Sequence, residues 1–451
     1  MNDDTIGLSR RKMLVGLGAV GVASAGAGLG TTAYFNDTES FDGNTLTAGS
    51  LDLFVHVDYS EDQGSYASYS TPPGSFINGN VVGQIDDNAI VTTEDESLSI
   101  QVSDLKPGDS GEGEFCFSIV NNPAYMWMCG EVTANDENGQ NEPEMDVDST
   151  VGEGMGELAD AMQVTVSYCT AAGETGEEII SGSLADVMSA LDNGVPLSGD
   201  GDADAPLADR PVFEGVDAPF DDDNEPVIAE QCVCFEWEVP FEVGNEIQSD
   251  SVEFDFEFYA VQSRHNDGTH NPCITSREVE GFGKSDYDDA DVLWASKARN
   301  GGSNTFELIV GDDNANADTD DYDFGGSSFD GELTVAYDAD TGEASLEIAN
   351  GTTADVSYAV SDAAGDVISI VARGDDASHL ASVSNVRVNG SAPTGPDAVE
   401  ADGAETVSLL IEDVDASADW ELTADVAFEG LDNDPSASDE NPAVYVEVID
   451  A

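Results

Sequence analysis

Basic side chains are what this chain most lacks: it has 12 Lys+Arg against 94 Asp+Glu over 451 residues, for a net charge of −82. Nucleic-acid binding needs clustered Lys and Arg to replace counterions on phosphate, so that class of partner is excluded. Histidine is nearly as scarce, with His56, His265, His270 and His379 only. No His-Glu-x-x-His run occurs, so the helical zinc pair of the common metallopeptidases is absent. A long apolar run is missing too. The most apolar stretch, near the N-terminus, is diluted by Gly16, Gly18, Gly21, Gly26 and Gly28 and would make a poor membrane span, and no other stretch approaches the ~20 apolar residues that cross a bilayer. The sequence therefore predicts no stable membrane anchor.

The six cysteines are Cys116, Cys129, Cys169, Cys232, Cys234 and Cys273, all before residue 275. An even number outside the cytoplasm favours disulfides, and six cysteines allow about 15 pairings that sequence cannot choose among. Cys232 and Cys234 lie two apart on one strand face, so each is expected to pair elsewhere. A Cys/His metal site is the weaker reading, because Cys-Val-Cys lacks the usual two-residue spacer.

The N-terminus carries a basic start, a mildly apolar middle and a small-residue cut site, the three parts of an export signal. Arg10 and Arg11 form the pair expected of twin-arginine export, and Thr31 and Ala33 satisfy the small-residue rule for cleavage between Ala33 and Tyr34. Removing residues 1–33 takes away two acids and three bases, leaving 92 against 9, a net of −83. On a globule of this mass each acid has a like neighbour roughly 13 Å away, comparable to the Debye length of about 10 Å at 0.1 M salt and far beyond the ~3 Å at 1 M. Repulsion would be felt in dilute buffer and screened in brine, which points to a halophilic, archaeal protein that folds at high salt.

Apolar residues alternate with period two along most of the chain, as half-buried antiparallel strands require. Leu51, Leu53, Val55, Val57 and Tyr59 share a face, which puts His56 on the solvent side. The clearest pair is Val233, Phe235, Trp237, Val239 followed by Val252, Phe254, Phe256, Phe258, with Glu253, Asp255 and Glu257 between the last four facing solvent. One helix interrupts the strands: Ser183 and Asp186 form a capping box ahead of Leu184, Val187, Met188 and Leu191, and Asn193-Gly194 ends it. Acidic loops at 134–149 and 197–225 are expected to project from the sheet edges. After Cys273 the cysteines stop while short strands continue at 8–12-residue intervals to Val448, indicating a second sandwich. The predicted organisation is a signal at 1–33, a module at 34–274, a linker at 275–282 and a second β-sandwich at 283–451.

Several motifs in the first module carry a family resemblance. These are the Tyr34–Leu53 stretch, Leu105-Lys106-Pro107-Gly108-Asp109-Ser110-Gly111, Asn122-Pro123-Ala124-Tyr125-Met126-Trp127-Met128, Phe235-Glu236-Trp237 and Val243 to Val252. The first module resembles the TasA/camelysin-like proteins with SipW-type signals over roughly residues 9–274. The resemblance implies a secreted jelly roll that polymerises into extracellular fibres or biofilm matrix, the mature N-terminal segment of one copy completing a sheet of the next. Its partners would be itself and, during export, a signal peptidase. The second module is similar in layout to the choice-of-anchor sandwiches, through the Trp294 region, the Ser382–Asn389 strand and the Asn441–Val446 strand.

Camelysin is described as a metallopeptidase, so a peptidase is the alternative reading, and a surface-adhesion or carbohydrate-binding protein is a third. For chemistry, His265 and His270 form the sole two-histidine cluster, and a solvated loop is the plainer reading of it. Asp312, Asn314, Asn316 and Asp318 space oxygen ligands as calcium loops do, without the glycine expected at the sixth position. They are the candidates for a structural calcium; no other cofactor is expected. Gly108-Asp109-Ser110-Gly111 reads as a turn, since no histidine base sits in a partner motif. Asn36, Asn350 and Asn389 open glycosylation sequons. Trp420 alternates with core residues and is read as packing. The expectation is an all-β, non-enzymatic surface protein.

Overall fold

The computed structural model describes residues 51–450, apart from 71–81, 281–291, 432–441 and several shorter gaps. Arg10, Arg11, Ala33, Tyr34 and Asn36 lie outside the described residues.

The first half holds β1 (Asp52–Asp62), β2 (Tyr66–Ser70), β3 (Val82–Gln84), β4 (Ala89–Glu94), β5 (Ser97–Ser103), β6 (Ser110–Val120), β7 (Ala124–Asp136), helix α1 (Leu158–Ala161), β8 (Gln163–Cys169), β9 (Thr175–Ser183), helix α2 (Leu184–Asp192), β10 (Val195–Leu197), β11 (Cys232–Glu238) and β12 (Ser251–Gln262). They form two antiparallel sheets, β2-β1-β6-β11-β8-β9 and β10-β7-β12-β5-β4-β3. The long strands β5, β6 and β7 alternate between the sheets, as do β11 and β12, which is the crossing pattern of a jelly roll.

The alternating phenylalanines meet between the sheets. Phe115, Phe117 and Phe235 from one face Phe254, Phe256 and Phe258 from the other, with ring centroids 4.8–5.8 Å apart in tilted and edge-on pairs. Pro107-Gly108 turns the chain between β5 and β6, with Asp109 N–H donating to the Lys106 carbonyl. Helix α2 follows its sequence signal closely: Ser183 Oγ accepts from Asp186 N–H at 3.1 Å and Asp186 Oδ2 accepts from Ser183 N–H at 3.2 Å. Its four apolar residues join the core, and Gly194 leaves it at φ 78°.

The second half holds β13 (His270–Glu280), β14 (Val292–Asn300), β15 (Phe306–Asp313), β16 (Asn316–Asp320), β17 (Ser328–Asp338), β18 (Glu343–Ala349), β19 (Thr353–Ala359), β20 (Val367–Arg373), β21 (Leu380–Val388), β22 (Ala392–Thr394), β23 (Val399–Asp402), β24 (Thr406–Glu412), β25 (Trp420–Glu429) and β26 (Ala443–Ile449). Its sheets run β16-β15-β14-β26-β20-β24-β13-β22 and β19-β18-β17-β25-β21-β23, around a core separate from the first. Trp420 is 3% exposed and stacks on Trp294 at 5.8 Å, so it is packing.

Four expectations are corrected. The predicted linker at 275–282 is strand as far as Glu280: β13 pairs antiparallel with β24, so the chain enters the second sandwich without a spacer. The 197–225 loop is largely exposed, as expected, but folds back onto the sheets at Phe213 and Val216. Because β11 begins only at Cys232, beside Cys116, the backbone groups at the end of β6 need other partners; the loop and the residues after it supply them, with Val216 N–H to the Ile119 carbonyl at 2.7 Å and Ala229 N–H to the Phe117 carbonyl at 2.7 Å. That cover buries His56, expected on the surface. Its Nε2 lies 3.0 Å from Ser118 Oγ, and Phe220 meets the ring edge-on. Asp255, also expected in solvent, is buried on the central strand β12, between β7 and β5.

The two sandwiches meet where α2 ends. Cys129 on β7 is disulfide-bonded to Cys273 on β13, and Asn271 Nδ2 donates to the Asn193 carbonyl at 2.8 Å. Ser189 Oγ donates to Asp415, and a Cβ on Gly194 would lie 2.5 Å from Asn271 Oδ1 and 2.7 Å from Cys273 Sγ. The bridge closes a 144-residue separation, for which chain entropy gives about 5 kcal/mol. Replacing both Cys129 and Cys273 with alanine is therefore expected to lower the denaturant midpoint and split one unfolding transition into two. Urea titrations followed by tryptophan fluorescence and by circular dichroism check this, and coincident, unshifted curves would refute it.

Candidate functional site

On the outer face of the first sheet, ladder register lines up His56, Cys116, Cys232 and Cys169 across β1, β6, β11 and β8. Cys232 is thus directly opposite two cysteines. It bonds to Cys116, at a Cα separation of 4.4 Å typical of a directly opposed pair, while Cys169 reaches diagonally to Cys234 at 5.8 Å. Cys232 and Cys234 each pair elsewhere, as their shared face implies. Among the described residues no helix is long and apolar enough to cross a membrane, and three disulfides fit an oxidising compartment.

Glu114 sits one step along the same face, opposite Asp58 and Cys234. Burial pushes its carboxyl up, and the neighbouring charges of Asp58 and Glu112 push it further. Two clusters of ligating atoms include Glu114 with cysteine sulfurs. Those sulfurs are bonded to one another, which removes the thiolates a metal would need.

The metal candidates named from sequence are not gathered into a site. His265 is exposed at a turn, with φ 66°. His270 opens β13, where burial lowers its pKa despite the pull of Asp267. Asp312 Oδ1 accepts from Ser361 N–H at 2.9 Å, and Asn316 N–H and Nδ2 are spent on Asp313 in the β15–β16 turn. Asp318 stands opposite Val310 on β16, and Asn314 lies outside the described residues. None of these histidines or aspartates belongs to a ligating cluster among the described residues. One such cluster consists of carboxylates alone, Glu137, Glu157 and Asp250, and sequence reading missed it. The three are far apart in sequence; the available signal was their position at the ends of strands and a helix.

The Gly108–Gly111 run borders a groove of about 530 Å³ lined by Ser110, Gln163, Glu238, Phe241 and neighbours, with no histidine in the lining. Arg210 is buried, its guanidinium 4.6 Å from the Trp127 ring and 5.2 Å from Tyr125, and desolvation lowers its pKa to about 10. Asn350 and Asn389 are both exposed at turns, and Asn389 Oδ1 accepts from Glu421 N–H at 3.0 Å.

Sheet edges are the other feature open to a partner. Among the described residues the outermost strands of the first sandwich are β2, β9, β10 and β3, and β9 is the longest of these, at nine residues. Among the described residues it pairs only with β8. No family model matches this chain, and no curated protein matches it.

The raised Glu114 carboxyl carries a signed consequence. Its folded-state pKa lies above the unfolded one, so the fold loses stability as pH rises from the unfolded value through the folded value. Glu114→Gln is expected to raise the melting temperature by about 1–3 °C at pH 7 and to leave it unchanged near pH 4. Thermal melts at the two pH values check this; a variant less stable than wild type at pH 7 would contradict it.

Proposed function

We propose that this is an exported structural protein whose first sandwich polymerises by strand addition, displaying the second sandwich outward in an extracellular fibre or matrix. The observation that carries this reading is that β9, at the end of its sheet, pairs only with β8 among the described residues. A neighbour's extended segment laid along it would gain backbone hydrogen bonds, with register set by alternate side chains. The segment best suited to supply that strand is residues 34–50, directly ahead of β1 and released when the signal is cut after Ala33. Glu177 and Glu178 on β9 are charges of the kind that discourage uncontrolled edge pairing, so assembly would need the salt concentrations that screen them. Export by the twin-arginine route is compatible with the three disulfides, since a chain that arrives folded already holds its thiols beside their partners when it meets an oxidising space.

Electron microscopy of the mature protein in molar salt, with and without residues 34–48, tests this. Filaments are expected from the intact chain and not from the truncated one. A synthetic peptide of residues 34–50 in excess is expected to shorten them. Filaments unaffected by either manipulation would sink the donor-strand mechanism, and particles that stay single in brine would sink polymerisation itself.

A further inference from the structure

Glu137 follows the end of β7, Glu157 precedes α1 and Asp250 precedes β12, so three separate segments deliver carboxylates to one place. One oxygen of each lies within 4.8 Å of the others. Part of each inventory is already spent. Glu137 Oε1 accepts from Gly139 N–H at 3.0 Å, and Asp250 Oδ2 accepts from Glu157 N–H at 2.8 Å and Leu158 N–H at 3.1 Å. The other oxygens, Glu137 Oε2 and Asp250 Oδ1, have no donor, although the two residues are only 5% and 4% exposed. Asn135 Oδ1, two residues before Glu137, is likewise enclosed without a donor, while its Nδ2 is held by the Gly156 carbonyl at 2.6 Å.

Buried, unpartnered carboxylate oxygens are costly, and the usual remedies are a proton, a basic side chain or a metal. Burial, together with the carboxylates of Glu137 and Glu157, pushes Asp250 up to about 7, and no cationic side chain is among the groups acting on it. The oxygen-only set excludes the nitrogen and sulfur preferences of zinc. The three oxygens lie close enough together to share one ion, and calcium takes oxygen ligands in a flexible geometry at about 2.4 Å. Magnesium would need a tighter octahedron, at about 2.1 Å.

We propose that Glu137, Glu157 and Asp250 form a calcium site that ties the end of β7, the start of α1 and the approach to β12 together, with Asn135 Oδ1 as a neutral oxygen beside it. The 134–149 loop is then a site-forming element: its Glu137 N–H donates to the Gly152 carbonyl at 3.1 Å, closing the loop over the carboxylates. This proposal stands independently of strand addition.

The test uses the full mature chain, freed of metal by chelator and kept in molar NaCl so that surface carboxylates are screened. Calcium chloride is titrated calorimetrically into wild type, Glu137→Gln and Asp250→Asn. Wild type is expected to show one saturable site that both variants lack. At a hundredfold excess over the dissociation constant, its melting temperature should rise by about 3 °C. Both amides keep an oxygen for the N–H groups now bound, so in chelator the variants are expected to melt no lower than wild type, which controls for misfolding. Equal calcium responses in all three proteins would assign the binding to the surface and overturn the site. No response in wild type would mean that the carboxyls share protons instead. An equal response to magnesium chloride would overturn the choice of calcium.

Discussion

Like-charge repulsion is the constraint to which the rest of this structure answers. With so few cations, ion pairs cannot hold the chain together. Those that form, such as Arg277–Glu412 at 3.0 Å and Arg387–Asp397 at 3.3 Å, are solvent-exposed enough to contribute little. Many acids are instead employed as turn builders. Asp338 accepts from Thr341, Asp376 from Ser378, Asp415 from Ser417 and Asp62 from Gly64, each bending the backbone around one carboxylate. The donated hydrogens favour the charged form and hold Asp338 and Asp376 below the usual carboxylate range. Negative charge is thereby made structural rather than merely tolerated, and cohesion is left to two apolar cores and three disulfides.

What could be read in advance was whatever is local. Strand alternation at Val252, Phe254 and Phe256, the capping box at Ser183 and Asp186, and the Pro107-Gly108 turn all express themselves within a few residues, and each matches the structure. The failures share one cause: contacts between segments distant in sequence. His56 alternates like a surface residue, yet it is covered by a loop some 160 residues on, because β11 begins only at Cys232 and the end of β6 must find other partners. The linker reading failed because the cysteine count changes near Cys273, whereas strand pairing continues straight through it. The calcium-loop spacing at Asp312 looked like a ligand set, but its side chains are absorbed by a hairpin turn, while the carboxylates that do converge come from three remote positions.

The cysteines show how sheet register can settle what counting cannot. Fifteen pairings are open to six cysteines, but once β11 lies between β6 and β8, Cys232 faces both Cys116 and Cys169. Only one of them can bond to it, and the other is left beside Cys234, two residues along the same face. The two bridges consequently weld three adjacent strands of one sheet, and neither spans the two sheets of the sandwich.

Cys129–Cys273 serves a different end, since it joins strands of separate sandwiches at the point where α2 docks. Helix α2 buries its apolar face in the first core and turns its last residues, Ser189, Asn193 and Gly194, toward the second sandwich. With no spacer after β12 beyond a short turn, that contact and the disulfide fix the second sandwich to β7, next to the central strand β12. In a filament assembled through β9, an edge of the opposite sheet, the appended sandwich would hang from the other sheet. Helix α2 follows β9 directly and also touches that sandwich, so an incoming strand would lie near the cargo at the Ser183 end of β9.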